Sequence, residues 1–495
     1  LGGSLAGLAL PRFYQWYFIF VSVSLILVAI RNRGFWRAFG LGQVAGVCFY
    51  ASQSTWMTAY LGPAPWLALA VLESIIFAFG IGVTALVWNY LEHRISFKNR
   101  FKLPILAAAI SAIWVTREWV SCNFPYGGYG WSRLAQAQAD SLLANWAYWG
   151  GLSAVSFASA FISSMAVLLV IHRRNKPWLA LSAVTVVILV PSFTVIPIST
   201  AKTLRVASVQ GNANAGLFAN PEPGSILAKH LSATELLLQD PEFSKVDVVV
   251  WPENSTDVDP TRNALAKDAI ESLVNQKLQV PLVLGTVTFR GQDVFNTVLQ
   301  FEPNRGVVDF YDKRRPVPFA EYVPDRPFWY ALAPDLIGLI THGFSFGERD
   351  GILELAGTKA GTLICFEITI DDVVHDLVTG GAQVIFSQAN NSDFGHTDET
   401  YQQEAFARLQ AITTGRSVVH VSTVGVTEMV LPDGSVSKVI PAFKPGYIID
   451  SLPLQSNLTP AMALYGWVDI SCGLATVISL LLAIVWRFRK GKTRS

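Results

Sequence analysis

The stretch GTLICFE (361–367) runs an apolar strand pattern straight into Cys365 and Glu367. That puts reactive side chains at a strand end, where α/β folds gather their sites. Taken alone, a cysteine there reads as core packing. Two more segments change its company: VDVVVWPEN (246–254) ends on Glu253 and Asn254, and FYDKRRPVPFAEYVP (310–324) carries Lys313 and Glu321. A thiol attacks a carbonyl as its thiolate, so it needs a base to take its proton and a cation or donor to hold the oxyanion. Glu253 and Lys313 are the residue types for those two tasks, although Lys313 beside Arg314 and Arg315 reads by itself as a solvated surface lysine.

Around these segments, LRVASVQGN (204–212), VPLVLGTVTF (280–289) and TVLQFEP (297–303) repeat the buried-strand pattern. Helices are predicted at 223–239, 260–277 and 398–415. The region 203–455 therefore reads as an α/β domain. No cluster in it has metal-ligand spacing, and no cofactor is expected.

The rest of the chain is different. Overall, 51% of the 495 residues are hydrophobic and 15% charged, with a mean hydropathy of +0.38, which points to a membrane protein. Apolar runs fall at 14–30, 38–60, 65–91, 103–122, 142–171, 177–198 and 462–486, each near the about 20 residues a span needs. LGGSLAGLAL (1–10) reads as the end of an apolar run, so part of a first helix is expected to precede it. Basic residues return at every second loop: Arg31, Arg33 and Arg37, then Arg94, Lys98, Arg100 and Lys102, then Arg173, Arg174 and Lys176, and finally the tail RFRKGKTRS. The positive-inside rule places those loops in the cytoplasm and the 199–460 segment outside. Cys48, Cys122 and Cys472 lie in apolar runs without paired spacing, so neither disulfides nor zinc are expected. A net charge of +1 gives no ground for nucleic-acid binding.

Four ionisable residues fall inside or beside predicted spans: Glu73, Arg117, Glu118 and Asp469. Such groups invite a functional reading, but Arg117, Glu118 and Asp469 lie near predicted outer ends, where snorkelling would satisfy them. The Trp and Tyr residues of PYGGYGW (125–131) are expected to form an interfacial surface.

An acid in WPE, a lysine in YDK followed eight residues later by the glutamate of PFAEYVP, and a cysteine in ICFE resemble the nitrilase superfamily. With membrane helices on both sides, together with FPYGGYGWSRLA (124–135) and ETYQQEAFARLQAITTGRSVV (399–419), the chain resembles the apolipoprotein N-acyltransferases. NNSDFGHTDE (390–399) looks closest to actinobacterial members. The resemblance implies a multi-pass α-helical membrane bundle plus an extracytoplasmic α/β nitrilase-like αββα sandwich domain. Its bounds are 1–200 for the bundle, 201–457 for the catalytic domain, 458–486 for a last membrane helix and 487–495 for a basic cytoplasmic tail. It implies Cys365 as nucleophile, Glu253 as general base and Lys313 as oxyanion stabiliser, with Glu321 supporting the lysine and Glu367 in an orienting or structural part. Phe366 stands where many relatives have Tyr, and Ala320 where Gly is common.

The implied reaction passes an acyl chain from a phospholipid, through a Cys365 thioester, to the α-amino group of a diacylglyceryl-cysteine on an apolipoprotein, in a bacterial cell membrane. Two alternatives stay open: a membrane-tethered amidase or nitrilase, and a scaffold for a polyprenol-phosphate mannosyltransferase.

Overall fold

The computed structural model describes residues 1–96, 101–172, 182–187, 194–216, 219, 221–340 and 343–492. The chain divides into two compact units. One comprises Leu1–Val195, Thr397–Ala405 and Thr459–Ser495, the other Ile196–His396 and Phe406–Leu458.

The first unit is helical. Among the described residues, Pro63–Arg94, Lys102–Asn123, Leu142–Ile171 and Trp467–Arg489 are long and apolar enough to cross a membrane, and Phe18–Ile30 is a shorter apolar helix. The run expected at 38–60 is broken: its helix spans Phe35–Gln53 and a short one follows at Met57–Leu61. Ser54 leaves helical geometry (φ −115°, ψ 26°), its hydroxyl bonds back to the Tyr50 carbonyl at 2.7 Å, and the Trp56 indole donates to Gln402 Oε1 at 3.1 Å. Half of the run expected at 177–198 lies outside the described residues.

Two expectations are corrected here. Arg117 and Glu118 do not snorkel: they are 5% and 3% exposed, and Glu73 is 1% exposed. The Arg117 guanidinium donates to the Tyr50 hydroxyl at 2.6 Å and lies over the rings of Phe77 and Trp114. Glu118 Oε1 accepts the Trp114 indole at 3.0 Å and the Leu134 amide at 2.9 Å, while Glu73 accepts from Ser121. Pairing inside the unit replaces contact with water, because a lone charge at this depth would cost several kcal/mol or about that order. Asp469 likewise accepts from Ser153 at 2.6 Å. The expected aromatic surface also fails at Trp131, which is buried and donates to Gln402 Oε1 at 2.7 Å.

The second unit holds two six-stranded sheets. The first is formed by β1 (Thr203–Gln210), β2 (Val248–Val250), β3 (Leu282–Arg290), β4 (Asp293–Glu302), β5 (Gly306–Asp312) and β12 (Gly446–Pro453), in the order β12-β1-β2-β3-β4-β5. The second contains β6 (Ile352–Leu355), β7 (Thr358–Ile364), β8 (Val384–Ala389), β9 (Ser417–Ser422), β10 (Thr427–Val430) and β11 (Val436–Ile440), in reverse sequence order. Strands β1-β2-β3 and β7-β8-β9 are parallel.

Side-chain alternation builds the layers. Val206, Val250 and Val283 of the first sheet pack with Ile364, Phe386 and Val421 of the second. The opposite face of the first sheet, through Ala207, Val249 and Leu282, packs with Leu237 and Ile270 of the helices Ser225–Leu238 and Ala264–Ser272. The helix predicted from 260 starts late because Asp259 accepts from the Thr261 amide at 2.8 Å in a turn, and Asn263 then caps the helix on the Ala266 amide at 3.0 Å. Strand β2 is shorter than the predicted 246–254, since Pro252 has no N–H to continue a ladder.

Candidate active site

Three strand ends supply the candidate groups: Glu253 follows β2, Lys313 follows β5 and Cys365 follows β7. Glu253 and Cys365 thus stand beyond the carboxyl ends of parallel strands. Cys365 is half-buried and turns sharply, with φ +54°, into a short 3₁₀ helix, Cys365–Thr369. A non-glycine residue in the left-handed region is held there by its surroundings, and a strained strand-to-helix turn projects a nucleophile out of the sheet.

The backbone around Glu253 is equally constrained. Strand β3 passes so close that a Cβ on Gly285 would lie 2.6 Å from the Glu253 Cα. The Gly285 amide donates to the Pro252 carbonyl at 3.1 Å, and the Ser255 amide donates to the Gly285 carbonyl at 2.8 Å. Any side chain at 285 would push the acid out of place.

Lys313 is 1% exposed. Its Nζ lies 2.8 Å from Glu321 Oε2, 3.0 Å from Glu321 Oε1 and 3.9 Å from Glu253 Oε1. Glu321 also accepts the Val317 amide at 2.7 Å. Asn296, buried on β4, donates through one Nδ2 to Glu253 Oε1 at 2.7 Å and to Glu321 Oε1 at 3.1 Å, and its carbonyl accepts the Lys313 amide at 2.9 Å. Sequence reading missed Asn296. Its only signal is a polar residue in mid-strand, where it resembles a solvated position.

Burial pushes the Glu253 carboxyl up to about 7; Lys313 pulls it down, Glu321 pushes it up, and hydrogen bonds with Asn296 and the Cys365 thiol pull it down. Burial works against the Lys313 charge, but Glu321, Glu253 and Cys365 outweigh it and hold the amine above the ordinary lysine value. The site thus contains a permanent ammonium and a carboxyl poised near neutrality beside a thiol. Chemically, such a set has the groups needed to deprotonate a thiol and to stabilise an oxyanion.

Glu367 is placed differently. Its Oε1 accepts the Tyr311 hydroxyl at 2.9 Å and the amides of Arg314 and Arg315 at 2.8 and 3.1 Å, while its Oε2 accepts the Ile364 amide at 2.9 Å. Its carboxylate ties the turn that carries Cys365 to the segment just after Lys313. Burial raises its pKa, against the pull of Lys313 and of the Ile364 amide.

The profile of the apolipoprotein N-acyltransferase N-terminal domain matches residues 2–165, and that of the carbon-nitrogen hydrolases matches residues 205–457. The apolipoprotein N-acyltransferase of Mycolicibacterium smegmatis is 30% identical over 98% of this chain and 84% of its own length. This chain belongs to the apolipoprotein N-acyltransferase family. The member from Azotobacter vinelandii is 27% identical over 94% of this chain and 90% of its own length. The match to a solved mutant of a Nesterenkonia amidase from the nitrilase superfamily covers 54% of this chain and 95% of that one, with 14% identity and a TM-score of 0.40.

The two supporting glutamates separate by experiment. Glu321→Ala removes the close partner of Lys313 and is expected to lower kcat by on the order of a hundredfold, together with a fall in melting temperature because the buried ammonium loses its nearest counter-charge. Glu367→Gln leaves a backbone donor facing an amide NH2, so it is expected to lower the melting temperature more than kcat. Acyl-transfer kinetics and thermal unfolding of both variants decide this; equal, mild losses of turnover would remove Glu321 from the site.

Proposed function

We propose that Cys365 is the acyl carrier of this N-acyltransferase. Glu253 takes the thiol proton, and the thiolate attacks the ester carbonyl of a membrane phospholipid. Lys313 holds the oxyanion until the C–O bond breaks and a lysophospholipid leaves with the proton from Glu253. The thioester is then attacked by the α-amino group of a diacylglyceryl-cysteine on an apolipoprotein. Glu253 accepts the amine proton, the C–S bond breaks, and an amide forms while the thiol is restored. The observation that carries this reading is the gathering of Glu253, Lys313 and Cys365 about one buried carboxyl–ammonium pair.

A lipid donor, against the amidase alternative, is supported by the segment after Glu321. It forms the short helices Arg326–Leu332 and Pro334–Ile337 and exposes Phe328, Tyr330, Leu332 and Leu339. The chain then returns to bond the Phe344 amide to the Glu321 carbonyl at 2.7 Å. Exposed large apolar side chains following the glutamate that holds Lys313 suit a substrate with an acyl chain.

The protein is a membrane protein. We assign residues 1–200 and 458–486 to the membrane part and 201–457 to the catalytic part, which the alternation of basic loops supports placing outside the cytoplasm. Cysteine introduced at Glu222 is then expected to react with an impermeant thiol reagent on intact spheroplasts, and cysteine at Arg94 is not. The reverse pattern would overturn the orientation. A polyprenol-phosphate mannosyltransferase partner also remains a proposal, which co-purification of the two proteins from membranes would test.

The acyl carrier itself is tested with purified enzyme and phosphatidylethanolamine in the absence of acceptor. An acyl mass is expected on the peptide containing Cys365, released by neutral hydroxylamine and discharged by a diacylglyceryl peptide with a free amino terminus. Glu253→Gln is expected not to load, and Cys365→Ala to show no adduct. Transfer by Cys365→Ala at the parent's rate would contradict the scheme.

A further inference from the structure

The helical unit contains an apolar groove of about 580 Å³ that takes no part in the chemistry above. Its walls come mainly from three helices, Lys102–Asn123, Trp146–Ile171 and Trp467–Lys492, with Leu91 of Pro63–Arg94 and Val187 added. The second of these departs from helical geometry at Gly150 (φ −154°, ψ 27°) and Gly151 (φ 66°, ψ −165°). At Gly150 it lies so near the last helix that a Cβ would stand 2.6 Å from Val468 Cγ2. Further along, the facing residues are Ala112, Ala154, Ala158 and Ala475, whose small side chains leave the space open.

The groove has the dimensions and polarity of a lipid chain. Along the last helix its lining runs from Trp467 to Ser479, about 18 Å at the helical rise per residue. That is close to one leaflet of a hydrocarbon core of about 30 Å. At one end stand Trp146 and Trp467, the residue type that marks a membrane–water interface. Next to the lining residues Ala154 and Val468 in sequence, Ser153 donates to Asp469 at 2.6 Å and accepts from Arg133 at 3.0 Å. The other flank of the last helix exposes Ile470, Val477 and Leu481, at 62%, 53% and 57%, as a lipid-facing surface does. Water gains almost no hydrogen bonds from such walls, and an empty groove forfeits their dispersion contacts.

We propose that this groove holds one acyl chain of an intact membrane phospholipid, with its headgroup at the Trp146 and Trp467 end. The lipid is resident in the helical unit and is separate from the acyl group carried by Cys365. This inference does not depend on the catalytic scheme.

The test uses the full chain in phosphatidylethanolamine nanodiscs containing a trace of phosphatidylcholine with a diazirine midway along one acyl chain. After illumination, cross-links are located by peptide mass spectrometry. They are expected on Ser471, Cys472, Ala475 and Phe157 at a frequency about fivefold or more above that on Ile470, Val477 and Leu481. Ala158→Phe, which fills the groove, is expected to lower the groove cross-links about tenfold and leave the outer ones unchanged. Ala475→Leu fills it from the facing wall should the first variant not fold, and the unmodified protein's own distribution decides if neither does. Groove cross-links are expected to persist in Cys365→Ala; their loss there would assign the chain to the acyl-enzyme and overturn a resident lipid. Even labelling of both faces, or groove labelling unaffected by a filling variant, would overturn the proposal as well.

Discussion

The site depends on one buried ammonium. Lys313 is almost wholly withdrawn from water, and an unpaired charge in that position would cost several kcal/mol or about that order. Glu321 meets it at 2.8 Å and Glu253 at 3.9 Å, so the cation is retained by two carboxylates of unequal closeness. That inequality divides the roles. Glu321 is the lysine's close partner and also holds the Val317 amide, whereas Glu253, more weakly paired and beside a second carboxylate, has its pKa pushed up to about 7. The same cluster therefore holds a fixed positive charge beside a carboxyl whose pKa is raised toward neutrality.

The fold delivers these groups from backbone that has little freedom. A strand with no Cβ at Gly285 lets the Glu253 turn settle against the sheet. The left-handed backbone at Cys365 turns the chain out of the strand, and Glu367 fixes that turn through the Ile364 amide. Because the same carboxylate also holds the amides of Arg314 and Arg315, the Cys365 turn and the residues after the lysine are tied together. Preorganisation of this kind is what stabilises an oxyanion without reorganisation during the reaction.

Much of this was legible in the sequence. Glu253, Lys313 and Cys365 stand where apolar strand patterns stop, a position that one-dimensional periodicity marks well. The α/β character of 203–455 was also readable, as were the apolar runs at 65–91, 103–122, 142–171 and 462–486. Asn296 was not, because a polar residue in mid-strand shows no sign of whether it faces solvent or two buried carboxylates. Arg117 and Glu118 were misread for a related reason. Sequence gives a residue's depth along a span, but not that Tyr50, Phe77 and Trp114 converge on it from other positions in the chain. The break at Ser54 depends in the same way on a remote residue, Gln402, which holds Trp56.

The central claim is that Glu253 controls the ionisation of Cys365, and the rate of Cys365 alkylation by iodoacetamide as a function of pH tests it most directly. Mass spectrometry of the Cys365 peptide separates this thiol from Cys48, Cys122 and Cys472. In the parent enzyme the rate should rise as Glu253 loses its proton, through about pH 7. In Glu253→Gln the rise should move toward an ordinary thiol value of about 8.5, with slower alkylation at neutral pH. Superimposable profiles for the two proteins would show that Glu253 does not act on the thiol.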